Sequence, residues 1–171
     1  MILTTERLRL IPLQQEHLYT VLEWLKKPRV YFELMDKLPL SLSELLEWYQ
    51  KREKQEDYLL ETYGGKPIGL VTLGNIRPDS HNADIDRIII GDDKYLRERY
   101  ASEALKTIIR YAFRELGLKR LFTECYEDTY SFRTLAPKIG FRVDRTGPAP
   151  DSVRRKIRFS LKNERANRPW N

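Results

Sequence analysis

The stretch from Ala83 to Gly117 constrains the fold most, because it joins a buried strand to an amphipathic helix through a short charged loop. Ile85 and Ile88–Ile90 are β-branched, and Gly91-Asp92-Asp93 follows them, so a strand over 83–90 is predicted. Apolar residues then recur at three- and four-residue spacing until Gly117 ends the pattern: Ala101, Ala104, Leu105, Ile108, Ile109, Ala112 and Leu116. Such a helix start exposes backbone N–H groups that can bind phosphate oxygens.

Composition indicates a globular chain of one domain, residues 1–171, with a polar tail at 162–171. The 171 residues are 41% hydrophobic and 33% charged, which suits a soluble protein with a sizeable core. The single cysteine, Cys125, excludes an internal disulfide and offers no metal cluster. Because no apolar run approaches about 18 residues and the first residues are already charged, we expect no membrane segment and a cytoplasmic location.

The remaining pattern predicts further helices and strands on both sides of this stretch. Helices are expected at 15–26, ended by Pro28, at 43–56, capped by Ser43, and at 131–139. Strands are expected at 3–13, 58–62, 67–76, 120–126, 141–144 and 153–161. Gly64-Gly65 predicts a hairpin turn, and 147–150 is expected to form the loop between the last two strands.

Two segments have a distinctive pattern: Ile90-Gly91-Asp92 followed by Tyr95 and Tyr100–Leu105, and later Asp128–Phe141. The first is similar to the acyl-CoA-binding segment of the GCN5-related N-acetyltransferases (GNAT), and the second to that family's Asn-x-x-Ser-x-Arg-x-Leu…Gly-Phe element. The resemblance is to the subgroup of the ribosomal-protein N-terminal acetyltransferases in particular. The resemblance implies an α/β (α+β) fold of the GNAT type. Its central sheet would be mixed and mostly antiparallel, with helices on both faces. The linker 29–40 would line the acceptor groove, or would plug a core edge.

The resemblance also implies a site for acetyl-CoA, although the pyrophosphate loop is degenerate. Arg97 and Arg99 stand where the family signature has Gly, and Leu96 stands where it has Arg or Gln. Arginine is itself a phosphate ligand, so the two side chains either clamp the pyrophosphate or fill the cleft with Glu98 pairing one of them. The residues implied for the cofactor are Ile88, Ile89, Ile90, Leu96, Arg97, Glu98, Arg99, Tyr100, Ala101, Ser102 and Asp128.

Acetyl transfer needs a base for the amine and a proton donor for the leaving thiolate. Asp84 and Asp86 are the candidate bases, and two-residue spacing predicts that they share a face with Ile88 and Ile90. Alternatively, either carboxylate forms an ion pair, with Arg77 as one partner. Ala136 occupies the place where relatives carry a Tyr donor, so Ser131 is the candidate donor, or it is only a helix N-cap.

The expected activity is transfer of acetyl from acetyl-CoA to a primary amine, either a protein N-terminus or a small amine. The net charge of +6 also suits a polyanionic donor or partner, such as an aminoacyl-tRNA, an acyl carrier protein or the ribosome. A third hypothesis is a non-catalytic binding module in which Arg97 and Arg99 fold inward and pair with Glu98 or Asp128. The basic residues of 154–158 predict a charge-protected edge strand, and the chain is expected to be a monomer or homodimer.

Overall fold

The computed structural model describes residues 1–149 and 153–164. Its helices are α1 (Leu18–Leu25), α2 (Pro28–Glu33), α3 (Leu42–Gln50), α4 (Tyr100–Arg114) and α5 (Tyr130–Ile139), with single 3-10 turns at Gln15–His17 and Asp93–Tyr95. Its strands are β1 (Leu3–Thr4), β2 (Leu8–Pro12), β3 (Glu56–Thr62), β4 (Pro67–Arg77), β5 (Asn82–Ile90), β6 (Arg120–Tyr126), β7 (Arg142–Pro148) and β8 (Arg155–Lys162).

The eight strands form one sheet in the order β1-β2-β3-β4-β5-β6-β8-β7. Neighbouring strands are antiparallel except for β5 and β6, which run parallel and are joined by the crossover through α4. A parallel pair requires such a crossover, which accounts for the helix in the stretch 83–117. The expected mixed, mostly antiparallel sheet is confirmed.

Helices cover both faces of the sheet, as expected from the resemblance. Apolar residues of α4, among them Leu105 and Ile108, form one core with inward side chains of the sheet and with Ala136 of α5. Residues of α1, α2 and α3 form a second core on the opposite face, where Leu25 and Leu45 pack with Leu59, Leu70 and Ile89. The middle strands are therefore buried on both sides.

Several element boundaries differ from the sequence-based expectation. The predicted first strand is two short antiparallel strands, with Leu3 opposite Leu10. Pro28 starts α2 at its first position, where a missing N–H costs nothing, instead of only ending α1. The third helix is capped by Ser41, whose side chain accepts a hydrogen bond from the Glu44 N–H, and not by Ser43.

The last two strands also differ from expectation. Strand β7 extends to Pro148, so Gly147 and Pro148 are strand residues, while Pro150 of the predicted loop lies outside the described residues. Strand β8 is internal, between β6 and β7, and the edge position belongs to β7. The edge-strand prediction was therefore wrong, because the last strand, β8, inserts between β6 and β7 and leaves β7 at the edge. Residues 165–171 of the predicted polar tail lie outside the described ranges as well.

A one-residue bulge interrupts β5 at Asp86. Thr72 pairs with Arg87 and Leu73 pairs with Ile85, so Asp86 has no partner of its own on β4. An extra residue shifts the alternation of side chains along a strand. Ala83, Ile85, Ile88 and Ile90 consequently all pack toward the α4 side. The prediction that Asp84 and Asp86 share a face with Ile88 and Ile90 was wrong for this reason.

No helix within residues 1–149 and 153–164 has both the length and the apolar character to cross a membrane.

Candidate active site

The candidate site is a gap where the parallel strands β5 and β6 separate. The two strands pair only from Asn82 opposite Arg120 to Ile85 opposite Thr123. The Thr123 hydroxyl donates a hydrogen bond of 2.9 Å to the Ile85 carbonyl at the point of separation. Beyond it, side chains from β5, β6, α2 and the start of α5 line a small cavity of about 60 Å³.

Backbone N–H groups of β5 face this gap. The Gly91 N–H donates to Ile68 on β4, and successive N–H groups of a strand point in opposite directions. The N–H groups of Ile88 and Ile90 therefore point away from β4, toward β6, whereas that of Ile89 points to β4. Arg29 of α2 closes one end of the gap by donating to the carbonyls of Ile90 (2.9 Å) and Gly91 (3.2 Å).

A larger cleft of about 470 Å³ opens from the gap along the start of α4 and one side of α5. Its lining includes Leu96, Arg97, Arg99, Tyr100, Ala101, Ser102 and Ser131, together with Ile88 and Ile90. Sequence reasoning named all of these residues, and the fold brings them into one cleft. Ile89 lines only the smaller gap.

The loop before α4 keeps a left-handed backbone although it lacks glycine. Arg97 and Arg99 both have φ of 63°. Non-Gly residues in this region cost on the order of 1–2 kcal/mol each. Both arginines are exposed, and within the described residues neither forms an ion pair, with Glu98, with Asp128 or otherwise. The predicted inward pairing of these arginines was therefore wrong.

Arg7, from the turn between β1 and β2, holds this loop in place. Its Nη2 donates to the Glu98 carbonyl at 2.8 Å, and its Nε lies 2.7 Å from Glu103 in α4. The guanidinium also stacks on the Tyr100 ring, 3.9 Å from the ring centroid. The Glu98 side chain is exposed, and its carbonyl is the part of the residue that is fixed.

A second pocket, of about 290 Å³, lies at the other end of the gap and contains both candidate bases. Asp84 is bound by Arg77, with Arg77 Nη2 2.9 Å from its Oδ1, and it also accepts a hydrogen bond from Asn75. The ion-pair alternative therefore holds for Asp84. Within the described part of the chain, the carboxylate of Asp86 forms no such ion pair or side-chain hydrogen bond.

Burial raises the pKa of Asp86 to about 6. The neighbouring guanidinium of Arg87 opposes this shift, while the negative charges of Asp84, Asp36 and Asp57 add to it in smaller measure. Gly74 makes room for the carboxylate, since a Cβ at that position would collide with Asp86 Oδ2. A carboxylate that titrates close to neutral pH suits a general base.

The structure places the other two predicted polar residues differently. Thr129 is the N-cap of α5, so Ser131 lies inside the helix and is not its cap. Asp128 is held by Arg154 at 2.6 Å, which lowers its pKa, and it is not among the residues that line the cleft. Ala136 is fully buried in the core.

Thr129 and Glu124 line the gap but escaped sequence reasoning. The Thr129 hydroxyl is buried without a hydrogen-bond partner among the described residues, and it faces the same cavity as Cys125. Burial raises the pKa of the Cys125 thiol to about 11, so it stays neutral and is a poor nucleophile at pH 7. Thr129 could have been found from the sequence, because it directly follows Asp128 in the second segment that resembles the family.

Among the described residues, no group of three or more His, Cys, Asp or Glu side chains could hold a metal ion.

Comparisons with known proteins agree with this geometry. A family model described as an acetyltransferase (GNAT) domain matches residues 7–142. No curated protein sequence matches the chain. Solved structures share the fold at low sequence identity, including a GNAT-family acetyltransferase from Bacillus anthracis with 18% identity, a TM-score of 0.80 and coverage of 95% of this chain and 98% of that one.

Two further solved structures of similar fold are complexes with ligands. Spermidine N-acetyltransferase from Vibrio cholerae, in complex with CoA and spermine, is 18% identical with a TM-score of 0.83, covering 93% of this chain and 97% of that one. A ribosomal-protein α-N-acetyltransferase in complex with coenzyme A is 14% identical with a TM-score of 0.81, covering 95% and 98%.

Proposed function

Because the chain belongs to the acetyltransferase (GNAT) domain family, whose model matches residues 7–142, and is thus an acyltransferase, we propose that it transfers acetyl from acetyl-CoA to a primary amine. The observation that carries this proposal is the gap between β5 and β6. It connects the cleft beside Arg97 and Arg99 to the pocket that holds Asp86. A finer placement beside the ribosomal-protein N-terminal acetyltransferases is part of the proposal and rests on the Tyr100–Leu105 segment.

The cleft has the features that a pyrophosphate-bearing donor needs. The first N–H groups of α4 have no partner within the helix, and a helix N-terminus attracts anions. Arg97 and Arg99 beside it are exposed and form no ion pair among the described residues, so their charges are available to phosphates. We propose that these arginines replace the backbone cradle that glycines provide elsewhere in the family.

At the gap, acetyl-CoA supplies a thioester whose carbonyl carbon can accept an amine nitrogen. We assign the N–H groups of Ile88 and Ile90 to the carbonyl oxygen, where they would stabilise developing negative charge. Asp86 accepts the proton that the amine loses, either directly or through a water. The C–N bond forms as the C–S bond breaks, and the released thiolate takes up a proton, for which the hydroxyl groups of Ser131 and Thr129 in the lining are candidate donors.

Calorimetric titration with coenzyme A tests the donor, and release of free thiol from acetyl-CoA in the presence of a panel of primary amines tests the reaction. We expect saturable binding of coenzyme A. Pantetheine, which lacks the phosphates, is expected to bind more weakly. Absence of binding at millimolar coenzyme A, with acylation from a charged tRNA or an acyl carrier protein instead, would overturn the proposal in favour of another donor.

A further inference from the structure

The sheet carries a charged groove on the side of Asp86. Along β8, Ile157 and Phe159 pack into the core beneath α4, so the alternating residues Lys156 and Arg158 face the other side. The pocket of Asp86 includes both of these cations, and a second pocket of about 300 Å³ continues from them toward Arg145 of β7. We call this path, from Asp86 past Lys156 and Arg158 to Arg145, the charged groove.

Carboxylates collect at the Asp86 end of the groove, where Asp36 pairs with Arg87 and Asp84 pairs with Arg77, whereas Lys156, Arg158 and Arg145 line its far end. Glu124 lies 3.6 Å from Lys156 and 3.3 Å from Arg158, and Asp144 lies 3.7 Å from Arg158. Arg145 is exposed and has no ion pair within the described residues. The groove therefore has a carboxylate at one end, suited to an ammonium, and an excess of positive charge farther along, suited to anionic groups.

The spacing of these charges matches a peptide better than a free amino acid. Strand β8 lies two strand spacings from β5 where the strands are paired, and Asp86 lies just beyond the last pair, so the two ends are at least roughly 10 Å apart. An extended chain advances about 3.3–3.6 Å per residue, so roughly three residues span this distance. A free amino acid holds its amine and carboxylate too close together to reach both ends.

The base also favours an α-amine. An α-amino group has a pKa of about 8, whereas a lysine side chain has a pKa of about 10.4. Asp86, with a pKa raised to about 6, is therefore better matched to an α-amine than to a lysine side chain.

Nucleic acid and polyamines fit the groove less well. Bases bind on exposed aromatic platforms, but the groove's Phe122 is already covered by Arg158, whose guanidinium lies 4.3 Å from the ring centroid. The carboxylates near Asp86 suit one ammonium of a polyamine, but its further ammonium groups would lie beside Lys156, Arg158 and Arg145, where like charges repel.

We propose that the acceptor is the N-terminus of a polypeptide with acidic side chains at its second to fourth residues, lying across β6, β8 and β7. This assignment rests on the proposed acetyltransferase function and names the class of its acceptor.

The test compares kcat/KM for three ten-residue peptides that all begin with serine. Acidic residues follow the serine in the first peptide, neutral residues in the second and lysine residues in the third. Spermidine is assayed as a further amine, and an N-terminally blocked acidic peptide as a negative control. We expect the acidic peptide to exceed the lysine peptide at least tenfold, with a preference that shrinks as salt rises. The single variants Lys156→Gln and Arg158→Gln should raise KM for the acidic peptide while leaving affinity for coenzyme A unchanged.

Two further variants keep the test interpretable. Arg145→Glu changes an exposed residue without a described ion pair, so it should fold normally and reduce or reverse the preference for acidic peptides. Arg110→Gln, which removes one charge from the exposed surface of α4, should change nothing. Equal rates for acidic and lysine peptides would overturn the inference while leaving the acetyltransferase intact. So would a preference that survives all three groove variants, or tRNA binding that competes with the peptides.

Failure of the proposed function would differ, because no amine would then be acetylated and coenzyme A would not bind.

Discussion

Asp84 and Asp86 are two carboxylates on the same strand that the fold places in different electrostatic environments. Arg77 neutralises Asp84 at 2.9 Å. Asp86 instead lies half-buried against Gly74, and its pKa rises to about 6 mainly because partial burial disfavours its charge. Asp84 therefore serves as a structural ion-pair partner of Arg77, whereas Asp86 can exchange a proton near neutral pH.

Replacement of Asp86 by Asn should lower kcat by about a hundredfold or more, since general-base catalysis contributes about 10²–10⁴-fold. In the wild type, kcat/KM should rise with pH to a midpoint near 6, where Asp86 loses its proton. This limb should vanish in Asp86→Asn. Steady-state kinetics between pH 5 and 8 would measure both effects.

The exposed Asp79, in the turn between β4 and β5, provides the matched control, and Asp79→Asn should keep the wild-type profile. Stability separates catalysis from misfolding. The pKa of Asp86 is about 6 in the folded state and 3.8 ordinarily, so the folded state holds the proton more tightly than the unfolded chain does. This contribution to the free energy of unfolding is fully present below pH 3.8 and is lost as pH rises through about 6. Asp86→Asn should thus be at least as stable as the wild type at pH 8. An inactive variant that is also destabilised at pH 8 would argue against the assigned role.

At the scale of elements, the loop before α4 combines a strained backbone with two exposed cations. Arg97 and Arg99 occupy the left-handed region, in which glycine would be unstrained. Arg7 ties the loop to the β1–β2 turn through the Glu98 carbonyl. Strained residues concentrate at ligand sites, where the surrounding structure holds them.

The double variant Arg97→Gly/Arg99→Gly should weaken coenzyme A binding by about tenfold or more, because charge-assisted hydrogen bonds contribute about 1.5–3 kcal/mol each. Its free energy of unfolding without ligand should rise by about 1 kcal/mol, since relief of strain exceeds the entropy cost of glycine. Calorimetry and chemical denaturation measure the two quantities separately.

The variant Arg97→Asn/Arg99→Asn is the companion, because asparagine tolerates the left-handed region and also lacks the guanidinium. Both variants should lose affinity. If the glycine variant instead bound coenzyme A more tightly than the wild type, the arginines would be obstructing the cleft and would not be its ligands.

Elements with strong local patterns could be predicted from the sequence. Strand β6 matches its predicted bounds, and α4 begins and ends close to its apolar pattern. The bulge at Asp86 could not be predicted, because it is defined by pairing with β4, which sequence alternation does not encode. The selection of Asp86 over Asp84 depends on where Arg77 and Gly74 lie in space, and α2 was missed because Pro28 can either end a helix or start one.

At the scale of the whole molecule, the sheet is sealed by two cores on opposite faces. Leu25 of α1 is fully buried in one and Ile108 of α4 in the other. Both cores use side chains of the same central strands, so loss of either should destabilise the whole sheet.

Leu25→Ala and Ile108→Ala should each lower the free energy of unfolding by about 2–5 kcal/mol. Each variant should shift a single transition, seen at the same denaturant concentration by far-UV circular dichroism and by tryptophan fluorescence. Leu40→Ala, at a position that is 45% exposed, should have little effect. Transitions that separate between the two probes in one core variant would show that the cores unfold independently.

The bulge at Asp86 reverses, from Arg87 onward, which side chains of β5 point to which face of the sheet. A strand with unbroken alternation would place Ile85 and Arg87 on the same side, so the α4 core would have to accept a guanidinium. One inserted residue instead lets apolar side chains continue on that side while Arg87 reaches Asp36 on the other. Bulged strands also bend, and β5 leaves β6 at this same point. The one-residue bulge at Asp86 is thus compatible both with an apolar core on the α4 side of β5 and with a gap between β5 and β6.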